Sequence, residues 1–338
     1  MGETAGIPAA PAPVRRPALR WAALAFGVLC TVAFGYIAVR DVQLSAVRAA
    51  FARADAAWLA PALVVFAVSI WLRAWRWQLL FDPRRRPPLG AVTTALLISY
   101  FFNNLLPARA GEAARVVALR REAGTPRVET LATVVIERVF DVISLLAMFF
   151  TAALWLPRVS WLRGAAILGG VAALALIALV FVVSRYRERG VATLLRPLRR
   201  IRRIPAERID HAVGNLTRGT AALHRPRVAG AAFLVTVLSW AVMAASFWIL
   251  MRAFALHLGP GAGLLVVVTI NLTMILPSSP AGLGLFEAAT VVALHAYAVP
   301  QSDALSYGLA LHVMNFVPFV VVGLVLVARH PVLRSVVR

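Results

Sequence analysis

Two long apolar runs of this chain are each broken by nearly the same short string of residues. The first break reads Asn104-Leu-Leu-Pro-Ala-Arg-Ala-Gly-Glu-Ala-Ala114 and the second Asn271-Leu-Thr-Met-Ile-Leu-Pro-Ser-Ser-Pro-Ala-Gly-Leu-Gly-Leu-Phe-Glu-Ala-Ala289. Both pass from Leu-Pro through small residues to Gly and then Glu-Ala-Ala, with extra residues inserted in the second. Pro and Gly interrupt a helix, and a carboxylate inside an apolar stretch is expensive. Paired interruptions in matching places of two halves mark the central site of a membrane transporter. Few chains can satisfy that pattern other than an all-α membrane protein built from two related halves.

Composition agrees. Hydrophobic residues make up 61% of the chain and charged ones 14%, against about 25% charged in soluble domains. The net charge of +21 does not point to nucleic acid, because the basic residues, all arginine, lie between apolar spans. The single cysteine, Cys30, sits in an apolar run, which excludes an internal disulfide and argues against thiolate metal binding. The six histidines show no metal-ligand spacing, and no phosphate-binding Gly-rich motif is present. No metal and no cofactor are expected.

Windows of about 20 apolar residues mark full spans near 20–39, 57–80, 128–155, 162–184, 229–252 and 303–328. The stretch 20–39 is too long for a signal-peptide core and reads as an uncleaved first span. Regions 89–122 and 261–298 are apolar but broken. Strongly basic stretches at 15–20, 82–88, 115–127, 185–227 and 329–338 belong on the cytoplasmic side. If 89–122 crossed the membrane once, Arg115 to Arg127 would face outside; if it enters and returns, every later loop falls on its expected side. The expected fold is therefore an all-α polytopic membrane protein. It has about six full transmembrane helices and two re-entrant helical hairpins, about eight hydrophobic segments in all, with hairpin tips at Pro107 and Pro277. Residues 57–155 and 229–328 form an inverted repeat, offset by roughly 170 residues. Residues 1–19 are expected as a disordered cytoplasmic tail, 20–328 as one transmembrane domain with a basic cytoplasmic loop at 185–228, and 329–338 as a cytoplasmic tail. Residues 40–56 carry apolar positions at helical spacing, fitting either an interfacial amphipathic helix or a helix packed on neighbouring spans.

The polar residues inside apolar segments are the candidate site. Glu137, Arg138 and Asp141 lie in one expected span, with Glu137 about nine residues, roughly 13 Å, from its edge. Glu137 and Asp141 share a face, and Arg138 reaches Asp141 at i,i+3. Either Arg138 simply neutralises Asp141, or the group meets a substrate. Arg109, beside Gly111 and Glu112, adds a cation to a restarting helix N-terminus, an arrangement that favours anions. In the second break Ser278 or Ser279 caps the returning helix, with Pro280 at its first position. Asn103, Asn104 and Asn271 precede the two tips. Glu287 either pairs with Arg109 or Arg138 across the pseudo-twofold or carries a proton. His312 and Asn315 share a face of the last span, where a structural histidine and a proton relay are both open readings.

On Leu72-Arg-Ala-Trp-Arg-Trp77, Asn104-Leu-Leu-Pro-Ala-Arg-Ala-Gly-Glu112, Glu137-Arg-Val-Phe-Asp141 and Leu276-Pro-Ser-Ser-Pro-Ala-Gly-Leu-Gly-Leu-Phe-Glu287, the chain resembles the membrane region of lysylphosphatidylglycerol synthases. That family also contains stand-alone flippase-like membrane proteins. The resemblance implies paired re-entrant helices and movement of a lipid with a charged head group between leaflets. The synthases carry a further soluble acyltransferase-like domain; here the chain stops soon after the last span, so synthase activity is not expected.

The leading expectation is translocation of an anionic phospholipid or lipid-linked phosphate through a polar site formed by Asn104, Arg109, Glu112, Glu137, Arg138, Asp141, Asn271, Ser278, Ser279, Glu287, His312 and Asn315. No catalytic residue and no enzymatic activity are expected. Two alternatives remain: a membrane-embedded transferase acting on polyprenyl-phosphate lipids, and an accessory subunit of a cell-envelope enzyme. Expected partners are membrane lipids with anionic head groups, without nucleic acid; a homo-oligomer or an envelope-biosynthesis partner stays open. The expected location is the bacterial cytoplasmic (inner) membrane, multi-pass, with both termini cytoplasmic.

Overall fold

The computed structural model describes residues 44–106, 111–153, 225–274 and 280–329, together with the isolated positions 36, 170, 171, 174–176 and 178. Among these residues the chain is helical throughout, without strands. The helices are α1 (Leu44–Ala52), α2 (Leu59–Leu79), α3 (Leu89–Leu105), α4 (Gly111–Ala123), α5 (Arg127–Ala153), α6 (Pro226–Ala253), α7 (Pro260–Thr273), α8 (Leu285–His295) and α9 (Gln301–Arg329).

Three helical stretches, Ala56–Leu79, Pro226–Ala253 and Gln301–Arg329, are long and apolar enough to cross a membrane. They coincide with the expected spans 57–80, 229–252 and 303–328. Helix α5 has 27 residues, about 40 Å at 1.5 Å per residue, but carries Glu129, Glu137, Arg138 and Asp141. The two broken regions each form a pair of shorter helices, α3 with α4 and α7 with α8. With 17 residues in α3 and 14 in α7, neither covers the roughly 30 Å of a hydrocarbon core. Apart from those isolated positions, the expected spans 20–39 and 162–184 lie outside the described residues, as do the tails, the tips Pro107 and Pro277, and nearly all of the loop 185–228.

Packing follows the proposed halves. Helices α2 and α6, the first of each half, lie along one another; α3 packs on α4 and on α9, while α7 packs on α8 and on α5. Each broken pair thus leans on the last helix of the other half. The apolar cores show the same exchange. One core gathers Phe247, Leu265, Val267, Leu294 and Leu311 with Ala62 and Phe66 from α2. The other gathers Leu96, Phe101, Leu119 and Phe140 with Ala232 from α6. Large apolar side chains on the outer faces, including Val64, Trp71, Val135, Leu234 and Val321, are exposed, as lipid-facing positions are.

Local sequence sets the breaks. Gly111 opens α4 so close to α3 that a Cβ there would strike the carbonyl oxygen of Ser99, and its N–H donates to Asn103 Oδ1 at 2.9 Å. In the second half Ala281, Gly282 and Gly284 all take positive φ (62°, 70° and 79°), conformations natural to glycine and strained for alanine. Pro280 opens a short 3₁₀ turn, Pro280–Gly282, while α8 starts five residues later at Leu285 with Gly284 as its N-cap. The placement of Pro280 at the first position of the returning helix is therefore corrected: Glu287 in the first turn, not a serine-proline pair, satisfies the Gly284 N–H at 2.8 Å. Helix α1 packs on α9 through an apolar contact of Val47 with Leu305 and Ala288, and Phe51 meets Phe254 edge-on at 5.4 Å. The packed-helix reading of residues 40–56 fits these contacts.

Helix α6 crosses α7 at Gly263, where a Cβ would stand 2.5 Å from the Ala244 carbonyl oxygen and 2.8 Å from Trp248 Cβ. Gly263→Ala should destabilise the detergent-solubilised protein by about 1–3 kcal/mol, the range for overpacking. Gly230→Ala, with open space around it, should be neutral or slightly stabilising through helix propensity. Thermal unfolding of the two variants side by side checks both.

Candidate functional site

Three helices bring a dense ionic cluster together. Helix α2 delivers Arg73 and Arg76 at i,i+3 spacing, so both point the same way. Helix α4 delivers Glu112 and Arg115 at the same spacing, and α5 delivers Glu137, Arg138 and Asp141. Arg76, 1% exposed, binds Glu137 at 2.8 Å and pairs with Asp141. Arg115, fully buried, reaches Glu137 at 3.0 Å and lies 2.6 Å from Glu112. Arg138 binds Glu112 at 2.7 Å and lies 3.7 Å from Glu137 and 3.5 Å from Asp141. Each carboxylate therefore faces at least two guanidinium groups, which is what lets it stay ionised where water is scarce.

Tryptophans complete the shell. Trp240 on α6 donates Nε1–H to Asp141 at 3.0 Å, and Trp77 donates to Thr133 Oγ1 at 3.0 Å. The Arg73 guanidinium lies 3.9 Å over the Trp240 ring, and that of Arg115 lies 4.8 Å over Trp77. Arg73 is buried with Met243 Sδ at 3.2 Å and the Tyr100 hydroxyl at 3.5 Å. Among the described residues of the cluster four arginines meet three carboxylates, an excess of one positive charge. The Nε atoms of Arg73, Arg76, Arg115 and Arg138 are buried without a hydrogen-bond partner. Among the described residues the cluster is open at Arg138, 40% exposed, and Glu112, 23% exposed.

A smaller centre lies in the second half. Glu287 Oε1 meets His312 Nδ1 at 2.5 Å while its Oε2 accepts from Gly284 N–H. Both side chains are buried, and the His312 ring packs against Phe286 at 4.7 Å.

Several expectations change. Arg138 is not primarily the partner of Asp141; its closest carboxylate is Glu112, and Arg76 takes Asp141. Glu287 pairs with His312 and not with Arg138, because the bend at Gly284 turns it toward α9. Arg115 is not an exposed basic side chain: it is buried between Glu112 of α4 and Glu137 of α5. Asn271 and Asn315 each donate to the carbonyl four residues back in their own helix, Val267 and Leu311. The Asn104 amide nitrogen is buried without a partner. Arg109, Ser278 and Ser279 lie outside the described residues. Sequence reasoning missed Arg73, Arg76, Arg115, Trp77 and Trp240 as members of the site. The signal was available: two arginines three residues apart in an otherwise apolar span are as anomalous as the carboxylates.

A family model described as the lysylphosphatidylglycerol synthase TM region matches residues 20–323. The chain belongs to this family. It is also similar to a protein named Glycosyltransferase AglD from Haloferax volcanii, 27% identical over 84% of this chain and 50% of that protein. A UPF0104 membrane protein from Methanothermobacter thermautotrophicus is 24% identical over 76% of this chain and 79% of its own length. The chain thus spans only half the length of the glycosyltransferase. Family membership and the apolar helices make this a multi-pass membrane protein. The expectation of no enzymatic activity is overturned by the relative that carries a glycosyltransferase name.

Breaking a buried ion pair from one side strands the other charge. Asp141→Asn should cost about 3–5 kcal/mol, seen as a large fall in thermal stability in detergent, and Arg76→Met should cost as much. The double variant Arg76→Met/Asp141→Leu should recover part of the loss. Arg138→Ala, half open to its surroundings, should cost roughly 1 kcal/mol or less.

Proposed function

We propose that this protein carries an anionic lipid head group across the bilayer, with the arginine-rich cluster of α2, α4 and α5 as its binding site. The observation that carries the reading is the unbalanced charge of the cluster together with its open side. A network built only to staple helices would balance its charges; this one keeps a surplus cation and undirected N–H groups where a phosphate would complete it. Guanidinium groups offer paired N–H donors that match phosphate oxygens, and low polarity around them strengthens the attraction. Arg138 and Glu112 stand at the entrance, and Arg73 at the closed end. The acyl tails would stay in lipid along the exposed apolar faces, so the protein need shield only the head group.

In this reading the two broken helix pairs are re-entrant, one from each face, and the halves form an inverted repeat that opens the site alternately to either side. The exchanged packing of α3 on α9 and α7 on α5 supports it, since each pair would move against the last helix of the opposite half. Arg109, placed by its sequence at the first tip, would add a further cation. A bacterial cytoplasmic membrane with both termini inside fits the arginine distribution.

A second reading is favoured by the similarity to the glycosyltransferase AglD: the same anion site would hold a lipid-linked phosphate during glycosyl transfer. Both readings need the cluster to bind a lipid phosphate, and they differ in whether the lipid leaves chemically changed.

Reconstituted in liposomes, the protein should accelerate leaflet exchange of a fluorescent anionic phospholipid over protein-free vesicles. Arg138→Ala, which leaves the fold largely intact, should lower the rate by about tenfold, matching loss of one charge-assisted contact of roughly 1.5–3 kcal/mol. Exchange at the parental rate in a folded Arg138→Ala protein would remove the open side from the route. Mass spectrometry of lipids incubated with sugar donors separates the second reading, which requires a product heavier by a glycosyl unit.

A further inference from the structure

The Glu287–His312 pair takes no part in the anion site and differs from its counterpart in one chemical respect. A shift of 175 residues carries Glu112 onto Glu287 and Glu137 onto His312. In the first half the carboxylate meets Arg115 and Arg138, groups that remain charged at any physiological pH. In the second half the matching carboxylate meets an imidazole, a group that can take up or release a proton. The same architectural position is permanently charged in one half and titratable in the other.

Among the described residues no other charged group is paired with Glu287 or His312. Glu287 uses one oxygen on His312 and the other on the Gly284 N–H that starts α8. The imidazole is flanked by the rings of Phe286 and Phe316, at 4.7 and 6.2 Å. Other ionisable groups of the packed elements are engaged or placed elsewhere. Arg48 of α1 and His295 at the end of α8 are exposed. Arg252 of α6 lies over Trp248, and Tyr307 of α9 donates to the Phe247 carbonyl. Tyr100 of α3 stacks on Phe319 and faces Arg73. Asp303 lies in the first turn of α9, nine residues or about 13 Å along the helix from His312. Helix α7 has no ionisable residue.

We infer that Glu287 and His312 form a proton-binding site whose occupancy controls the opening of the second broken helix pair. With one proton shared, the pair is imidazolium and carboxylate, neutral in sum, and stays dry. When that proton returns to water, a net negative charge remains buried beside two phenyl rings, which costs several kcal/mol unless water enters. Water reaches Glu287 only if α8 parts from α9, and Glu287 also holds the Gly284 N–H, so the bend at Gly282–Gly284 moves with the charge. Applied to a transport cycle, which rests on the lipid-translocation reading, one proton is taken from water on one side and released on the other per opening. As a proton site it stands on the geometry alone.

Solvent access to Thr290, fully buried one turn beyond Glu287, reports the opening. In a Thr290→Cys/Cys30→Ser background of the full chain, labelling by a water-soluble methanethiosulfonate, divided by the rate of an exposed cysteine at the same pH because the thiolate is the reactive form, should accelerate as pH rises. A one-proton equilibrium shifts about tenfold per pH unit while it titrates. His312→Gln cannot supply the neutralising charge and should label fast at every pH; Glu287→Gln removes the charge and should label slowly at every pH. Rates independent of pH in the parent, or both substitutions keeping its pH response, overturn the inference. In liposomes, a pH gradient should skew the leaflet distribution of the labelled lipid in the parent and leave it even in His312→Gln. Labelling that follows pH without any lipid exchange keeps the proton site and discards the translocation reading. Exchange with pH-independent labelling does the reverse.

Discussion

The pairing of Arg76 with Glu137 and Asp141 is the interaction on which the rest of this structure depends. It joins α2 to α5 at full burial, and through Arg115 and Trp240 it extends to α4 and α6. In lipid, helices gain little from hydrophobic association, because the surrounding chains are as apolar as leucine. Polar contacts and close packing must then specify which faces meet. A buried arginine that can be satisfied only by two carboxylates of one neighbouring helix fixes both the rotation and the depth of that neighbour. Helix α3 packs on α9 and α7 on α5, so the ionic cluster at α5 bears on the packing of both broken pairs.

The breaks in α3–α4 and α7–α8 answer the same constraint differently. A broken helix exposes backbone groups that lipid cannot satisfy, so each break needs an internal donor or acceptor. In the first half Asn103 takes the Gly111 N–H, leaving Glu112 free to join the arginines. In the second half no asparagine takes that part in the described contacts; Glu287 itself accepts from Gly284 and turns its other oxygen to His312. One side chain serves both as cap and as the partner of His312. A change in its charge therefore cannot leave the backbone at Gly284 unaffected.

Much of this was legible in the sequence because the relevant signals are large. Apolar windows gave four helices to within a few residues, and Leu-Pro with Gly and Glu located both interruptions. Glu112, Glu137, Arg138 and Asp141 stood out because a carboxylate or arginine amid valine and isoleucine needs a reason. What the sequence did not yield was the choice among partners. Arg73 and Arg76 lie near the end of a span, where arginine ordinarily extends to the interface. Arg115 sits in a run of basic residues that counts toward topology. Only three-dimensional packing shows them turned inward, since the course of a long side chain depends on neighbours far along the chain, as Arg76 on Asp141 and Arg73 on Trp240. Pro280 was misjudged for a related reason. A proline fits a helix start or a 3₁₀ turn equally well, and the positive φ angles of Ala281, Gly282 and Gly284 decide between them.

The incompleteness of the cluster is more informative than its contacts. A site closed on itself would satisfy the guanidinium Nε atoms and balance its charges, and evolution has ample means to do so with a fourth carboxylate. Here Arg73 instead rests on Trp240, a contact that stabilises a cation without neutralising it. The aromatic face holds the charge in place in the absence of a bound anion and, unlike a carboxylate, offers no competing negative charge when one arrives. Aspartate in place of Trp240 would make a more balanced network and, in the proposed reading, a worse receptor for phosphate. The tryptophan thus supports that reading, in which the network holds the helices together and still attracts an anion.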